Sequence, residues 1–201
     1  MQLSVTEIAE AVSARIVAAP NPDAQIASVT WDSRTAGEGS LYVALAGERV
    51  DGHDFVLAAV SAGALCVLVT RALPDEMVAR VQELGAAILL VDDAQKAITD
   101  LACAWRCRLR GRVVGLTGSN GKTTTKNLVR DVLACAGSVT ATRGNQNNEL
   151  GVPNTLLAAD VDTRNVVVEM GMRGLRQIES LCSFVRPEWG IVTQVGESHI
   201  E

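Results

Sequence analysis

The run Arg112-Val-Val-Gly-Leu-Thr-Gly-Ser-Asn-Gly-Lys-Thr-Thr-Thr125 joins a short apolar segment, a glycine-bearing turn and a lysine followed by threonines. It predicts a strand, a phosphate-binding loop and the start of a helix. Gly118 and Gly121 permit close backbone approach to a polyphosphate such as that of ATP, and a helix opening near Lys122 presents N–H donors to it. Lys122 adds a mobile positive charge, and Thr123 is placed to offer its hydroxyl to the Mg²⁺ that accompanies the phosphates. Ser119, Asn120 and Thr124 complete the phosphate-binding loop. The general pattern G-x-x-x-x-G-K-[ST] is matched only in its second half, because Leu116 stands where its first glycine belongs. The plainer alternative is a glycine-rich turn with a solvated lysine. Against it stands the following segment, in which Leu128, Val129, Val132, Leu133 and Ala136 fall on one helical face and Gly137 is placed to end the helix.

The 201 residues are 48% hydrophobic, enough for one large or two small globular domains. A formal charge of -5 and the lack of a Lys/Arg cluster argue against nucleic-acid binding. No apolar run reaches the length of a membrane span, and the start MQLSVTEIAE is unlike a signal peptide, so a cytoplasmic protein is expected. The 5 cysteines do not suggest a disulfide framework. Cys103 and Cys107 would share a helix face but have no second Cys/His pair nearby in sequence, so the thiols read as small structural hydrophobes.

Taken in order, Ser4-Val-Thr-Glu7 has the form of a capping box and opens a short helix carrying Val5, Ile8, Ala9 and Val12. Ile26 to Trp31 reads as a strand. Asp32-Ser33-Arg34 reads, on composition alone, as an ordinary turn, with a site as the other possibility. Leu41, Val43 and Leu45 predict a half-buried strand leading to the loop Gly47 to Phe55, which holds Asp51, Gly52, His53 and Asp54; spacing leaves His53 open between structural and functional roles. Helix, strand (65–70), helix (74–84) and strand (87–91) follow, and a second unit is expected from about residue 93, its helix running into the phosphate-loop strand.

Beyond residue 137, the segment 138–142 predicts a strand. The loop Arg143 to Pro153, with Asn147, Asn148 and Glu149, is consistent either with a polar ligand site or with an asparagine-rich turn capping a helix that Pro153 starts. Asn165-Val-Val-Val-Glu-Met-Gly171 is an apolar strand with an acid at its carboxyl end. In an open parallel sheet that end faces the same crevice as the phosphate loop, which makes Glu169 a candidate Mg²⁺ ligand, the alternative being a solvated carboxylate. A helix (175–184) and a strand (189–195) lead to His199, a candidate for a second metal or a phosphate contact. The abrupt end at Glu201 suggests a piece of something longer.

Together, Trp31-Asp-Ser-Arg34, the Gly47-to-Phe55 loop, Leu116 to Thr124, Asn147 to Pro153, Glu169-Met-Gly171 and Gly196-Glu-Ser-His199 resemble the Mur ligases of bacterial peptidoglycan synthesis. The family's shorter Gly-x-x-Gly-Lys-Thr loop accounts for the spacing that departs from the general pattern. The Asn-Asn-Glu-Leu-Gly-Val-Pro and Glu-Met-Gly stretches look like the member that adds D-alanyl-D-alanine to UDP-N-acetylmuramoyl-tripeptide. The resemblance implies an α/β fold: a small N-terminal UDP-sugar domain (1–92) followed by an incomplete P-loop NTPase-like central domain with a mostly parallel sheet (93–201). It further implies ATP and Mg²⁺ as cofactors, an acyl-phosphate intermediate, a monomer, and a chain inactive by itself, since the family's bridging carbamylated lysine falls past Glu201. By the same resemblance Lys122, Glu169 and His199 are catalytic, with Thr123, Glu169 and His199 at metals. Ser33, Arg34 and Asp51 to Asp54 would line the UDP end, and Asn147, Asn148 and Glu149 the muramoyl or nucleotide crevice. A folylpolyglutamate-type ligase and a non-catalytic nucleotide-sugar module are the rival expectations.

Overall fold

The computed structural model describes residues 1–47 and 50–196. The chain forms two compact units, Met1–Leu101 and Ala102–Glu201. Each is an α/β structure, and the sheets are mostly parallel. Whereas a boundary is expected at 92/93, the units part inside a helix that begins at Ala94.

The first unit opens with β1 (Leu3–Ser4) and α1 (Val5–Ala11), and the capping box forms as the sequence predicts. Ser4 Oγ accepts from the Glu7 N–H at 3.1 Å, and Glu7 Oε2 accepts from the Ser4 N–H at 2.7 Å. There follow β2 (Arg15–Ala18), β3 (Gln25–Ile26), β4 (Ser28–Thr30), β5 (Ser40–Val43), α2 (Val56–Ser61), β6 (Ala64–Val69), α3 (Asp75–Glu83), β7 (Ala87–Leu90) and α4 (Ala94–Arg106). β1 pairs with β3, and a second sheet has the order β2-β7-β6-β5-β4. In that sheet β4 to β7 are parallel and β2 is antiparallel to β7.

One sequence expectation is corrected in this unit. β5 is wholly buried rather than half-buried, because it lies between β4 and β6 with both faces covered, the usual condition of a parallel strand. Tyr42 joins Val56, Ala59, Val67, Val81 and Ile88 in a core under α2 and α3, and Leu41 and Val43 on the opposite face are buried too. β2 was not legible from pattern: Arg15, Ile16 and Val17 are all exposed, so the strand shows no buried alternation.

The second unit contains the carboxyl-terminal turn of α4, then β8 (Arg112–Thr117), α5 (Lys122–Ala134), β9 (Val139–Ala141), α6 (Gly151–Leu157), β10 (Asn165–Glu169), α7 (Gln177–Val185) and β11 (Trp189–Val192). Its sheet is parallel throughout, in the order β11-β8-β10-β9. Trp105 Nε1 donates to the Ala159 carbonyl, and the buried Arg106 guanidinium donates to Val185 O and Glu188 Oε1, tying α4's last turn to this sheet. α6 starts at Gly151, before Pro153, and β11 ends at Val192, short of the expected strand.

The apolar stripe expected of α5 faces the core only in part, since Val129 and Leu133 are half-buried and the rest is exposed. Leu128 is 62% and Val132 71% exposed, whereas Lys126, a residue the periodicity assigns to solvent, is 2% exposed. The helix is phased from its amino end, where the loop must present Lys122 and Thr123 to the crevice; that rotation carries Lys126, one turn on, inward. Among the five thiols Cys66 is buried, Cys103 and Cys182 are half-buried and Cys107 and Cys135 are exposed, so the structural-hydrophobe reading fails for Cys107 and Cys135. No group of three or more metal-binding side chains occurs among the described residues. Nor is any helix among them long and apolar enough to cross a membrane.

Candidate functional site

The phosphate loop follows β8, the inner strand between β11 and β10. Gly118 has φ +140°, and a Cβ there would sit 2.2 Å from Thr193 Oγ1; Gly121, ahead of α5, has φ +78°. Both backbone states are costly for any residue with a side chain. The segment after β11 braces the loop: Ser119 N–H donates to Gln194 O at 2.8 Å, Ser119 Oγ to Gly196 O at 2.8 Å, and Thr193 Oγ1 to Asn120 O at 2.6 Å. Lys122 folds back, its Nζ donating to Gly118 O at 2.7 Å and Ser119 O at 3.2 Å. α5 thus presents its first-turn N–H groups, which have no intrahelical acceptors, beside a preformed turn. Thr124 is exposed at the start of that helix.

Glu169 ends β10 and is 1% exposed, which removes the solvated-carboxylate alternative. Its Oε1 accepts from Thr123 Oγ1 at 3.2 Å and from Asn147 Nδ2 at 2.8 Å. Its backbone N–H donates to Thr142 Oγ1 at 2.9 Å, and Gly171 N–H donates to Asn147 O at 2.8 Å, so strand end and asparagine loop are locked together. Glu169 Oε2 is buried with no hydrogen-bond partner. Lys126 Nζ stands 3.7 Å from it and donates instead to Gly144 O at 2.7 Å. A buried carboxylate oxygen left open, beside a threonine hydroxyl, is an all-oxygen donor set of the kind Mg²⁺ takes; the residues fit that ion.

Asn147 faces the carboxylate, while Asn148 Oδ1 accepts from the N–H groups of Leu150 and Gly151 at the start of α6, so the capping reading of this loop is met by Asn148. Glu149 Oε1 accepts from Gln177 Nε2 at 3.1 Å. A cleft of about 180 Å³ is lined by Lys122, Asn147, Asn148, Glu149, Gly171, Met172, Arg173 and Gln177. His199 lies outside the described residues, as do Glu48 and Arg49 of the earlier polar loop.

In the first unit a second cleft, of about 590 Å³, is lined by residues that include Trp31, Asp32, Ser33, Arg34, Tyr42, Gly52 and Phe55. Asp32 caps the single helical turn Ser33–Thr35 and holds Arg34 through both carboxylate oxygens, at 2.8 and 2.6 Å. The Arg34 hydrogen bonds bring the Asp32 carboxyl down to about 2. Tyr42 is buried with its hydroxyl on Gly52 O at 2.9 Å, and that burial raises its pKa, helped by the charges of Asp32 and Asp51.

His53 departs from the expected ligand-facing role. It is 3% exposed, its Nε2 accepts from the Thr70 N–H at 3.1 Å, and the proton therefore sits on Nδ1, 2.6 Å from Asp51 Oδ1. The imidazole braces the loop from within. Asp51 also accepts from the His53 backbone N–H and pairs with Arg71 at 2.9 Å; the His53 bonds, backbone first, lower its pKa. Asp54 is exposed beside it.

Sequence reasoning missed Lys126, Tyr42, Arg173 and Gln177. A lysine one turn after Lys122, in a helix with an apolar stripe elsewhere, carries no signal of burial. Only the Tyr42 position, polar-tipped inside an apolar run next to a polar loop, offered a hint.

Residues 116–201 match the Mur ligase middle domain, and residues 25–106 the Mur ligase family catalytic domain. A UDP-N-acetylmuramoyl-tripeptide–D-alanyl-D-alanine ligase of Synechocystis is 40% identical over 98% of this chain, which spans 40% of that relative. A crystal structure of MurF from Acinetobacter baumannii superposes with a TM-score of 0.86 at 30% identity, covering 100% of this chain and 42% of the other. MurF from Thermotoga maritima in complex with ADP gives a TM-score of 0.73 at 32% identity, over 87% of this chain and 39% of that one. The chain thus spans about two fifths of the length of the curated relatives it matches.

Proposed function

The chain belongs to the Mur ligase family, and from that premise we propose that it is the amino-terminal part of a UDP-N-acetylmuramoyl-tripeptide–D-alanyl-D-alanine ligase, an ATP-dependent enzyme of peptidoglycan precursor synthesis. The observation that carries this reading is the meeting of Thr123 and Asn147 on the buried Glu169 carboxylate, beside a loop that presents Lys122. The 40% identity to such a ligase along almost the whole chain supports the choice of family member.

In this reading residues 93–201 bind ATP. Gly118, Ser119, Asn120 and Gly121 shape the turn, and the first N–H groups of α5, Thr124 included, receive phosphate oxygens. Lys122 leaves the carbonyls of Gly118 and Ser119 to meet the terminal phosphates. Thr123 and Glu169 would hold Mg²⁺, which when bound neutralises charge on the transferring phosphoryl group. Asn147 keeps Glu169 Oε1 directed at Thr123. The tripeptide carboxylate attacks the γ-phosphorus, ADP leaves, and the D-alanyl-D-alanine amine then displaces phosphate from the acyl phosphate while losing a proton. The chain's own contribution is to position and to stabilise charge.

Residues 1–92 bind the UDP end in the cleft of Trp31, Ser33, Arg34, Gly52 and Phe55, with Asp51 and Asp54 flanking it in the same loop. Asn148 and Glu149 flank the crevice of the second unit. In this reading the protein works as a monomer in the cytoplasm. Calorimetric titration of the chain with UDP-N-acetylmuramoyl-tripeptide, with UDP-N-acetylglucosamine as control, tests the assignment. Saturable binding of the muramoyl ligand alone is expected. Equal binding of both would favour a nucleotide-sugar module, and binding of neither by folded protein would count against the substrate assignment.

A further inference from the structure

The least expected feature of the second unit is a fully buried lysine facing a fully buried glutamate without a hydrogen bond between them. Lys126 and Glu169 are 2% and 1% exposed, and Nζ lies 3.7 Å from Oε2. Lys126 spends its hydrogen bond on Gly144 O at 2.7 Å, while Oε2 has no hydrogen-bond partner. At that separation the pair is coupled by charge and not by a shared proton. The ammonium therefore cancels the charge of Glu169 and leaves a lone-pair face of the carboxylate open.

We infer that Lys126 is the counter-ion that makes Mg²⁺ binding at Glu169 depend on nucleotide. The inference rests on the ligase reading, since it takes the adjoining loop to receive a polyphosphate. Among the described residues Glu169 belongs to no group of three or more His, Cys, Asp or Glu side chains that could hold a metal. A bare divalent cation approaching it meets a neutral pair, with the second ammonium of Lys122 on the same helix. A cation arriving with a nucleotide brings its own phosphate ligands and a net negative charge, to which both lysines are attractive. Lys126 is thus a positioning residue. It places a compensating charge 3.7 Å from the open Glu169 oxygen, and it disfavours occupation by metal alone, which would block the loop in an unproductive state.

The test uses the 201-residue chain, its Lys126→Gln variant, which removes the charge and keeps a donor for Gly144, and its Lys126→Arg variant, which keeps the charge. Each is titrated with MgCl₂ alone, with ADP alone and with both, by calorimetry and by thermal melting. Lys126→Gln is expected to bind bare Mg²⁺ at least about tenfold more tightly than the parent chain, and Lys126→Arg is expected to behave as the parent. Unchanged bare-Mg²⁺ affinity in Lys126→Gln overturns the inference. If Lys126→Gln has no cooperative melt by itself, recovery of the melt on adding Mg²⁺ supports the inference and failure to recover overturns it. A parent chain that binds no ADP, with or without Mg²⁺, brings down the nucleotide reading itself. A parent chain that binds Mg²⁺ and ADP together, alongside an unaltered variant, removes only the role given to Lys126.

Discussion

Two buried polar clusters, one in each unit, differ in how completely they are satisfied. Around His53 every ring nitrogen has a partner: Nδ1 meets Asp51 and Nε2 accepts from Thr70, while Asp51 turns its other oxygen to Arg71. Around Glu169 one oxygen is shared between Thr123 and Asn147, and the other is left with only a charge 3.7 Å away. An unsatisfied buried oxygen costs stability that a structural cluster has no reason to give up. The closed cluster is therefore a brace for the loop that carries Gly52, and the open one is where the proposed metal and nucleotide site is placed.

Breaking the closed cluster should give the largest effect. His53→Ala leaves the Thr70 N–H without its acceptor, removes the imidazole bond to Asp51 while the backbone N–H bond stays, and opens a cavity, and a loss of about 3 kcal/mol is expected in chemical denaturation. Nucleotide affinity of the surviving folded fraction should not change; a loss of ADP binding there would undo the separation of the two clusters. Lys122→Ala, in the open site, should weaken ADP binding roughly tenfold to a hundredfold in calorimetry, the worth of a charge-assisted hydrogen bond, with little change in melting. Glu169→Gln keeps the shape and removes the charge. The part of ADP affinity that depends on Mg²⁺ should fall about tenfold, or about 1.4 kcal/mol, while ADP affinity without metal is retained.

Acid sharpens the comparison further. Asp32 and Asp51 both have folded pKa values below their ordinary ones, the first through Arg34 and the second through His53. Their contributions are complete above the unfolded carboxylate value of about 4 and disappear as pH falls through the lowered folded values. The first unit should lose stability on acidification in that window, and an Asp32→Asn, Asp51→Asn double variant should show a flatter slope of denaturation midpoint against pH. The smallest effect is expected on α5, where Leu128→Lys with Val132→Glu should change stability by no more than about 0.5 kcal/mol, because both side chains already face solvent. A loss of several times that size in a melt would mean that those apolar groups are covered.

Much of the site was legible because its signals are local. The glycines at 118 and 121, the lysine after them and the acid closing an apolar strand each report a backbone or charge requirement met within a few residues. The Ser4–Glu7 box is legible for the same reason. Asn147 was legible only as one of two open possibilities, since its amide could equally have capped α6, a task that falls to Asn148. What misled was periodicity. In α5 Leu128 and Val132 of the expected apolar stripe face outward while Val129 and Leu133 are half-buried, and β2 shows no stripe at all.

The sequence by itself determined the strand–loop–helix unit, the α/β class and the placing of an acid where the parallel sheet opens, because these depend on short-range sterics, capping and strand pattern. Only the tertiary structure decided that Lys126 is buried, that His53 turns inward to Thr70 and that one Glu169 oxygen stays open. Those outcomes depend on the phase of a helix and on partners such as Gly144 and Thr70, 18 and 17 residues away along the chain. Burial of a charge is set by what surrounds it in space, and a residue's own neighbours in sequence do not record that.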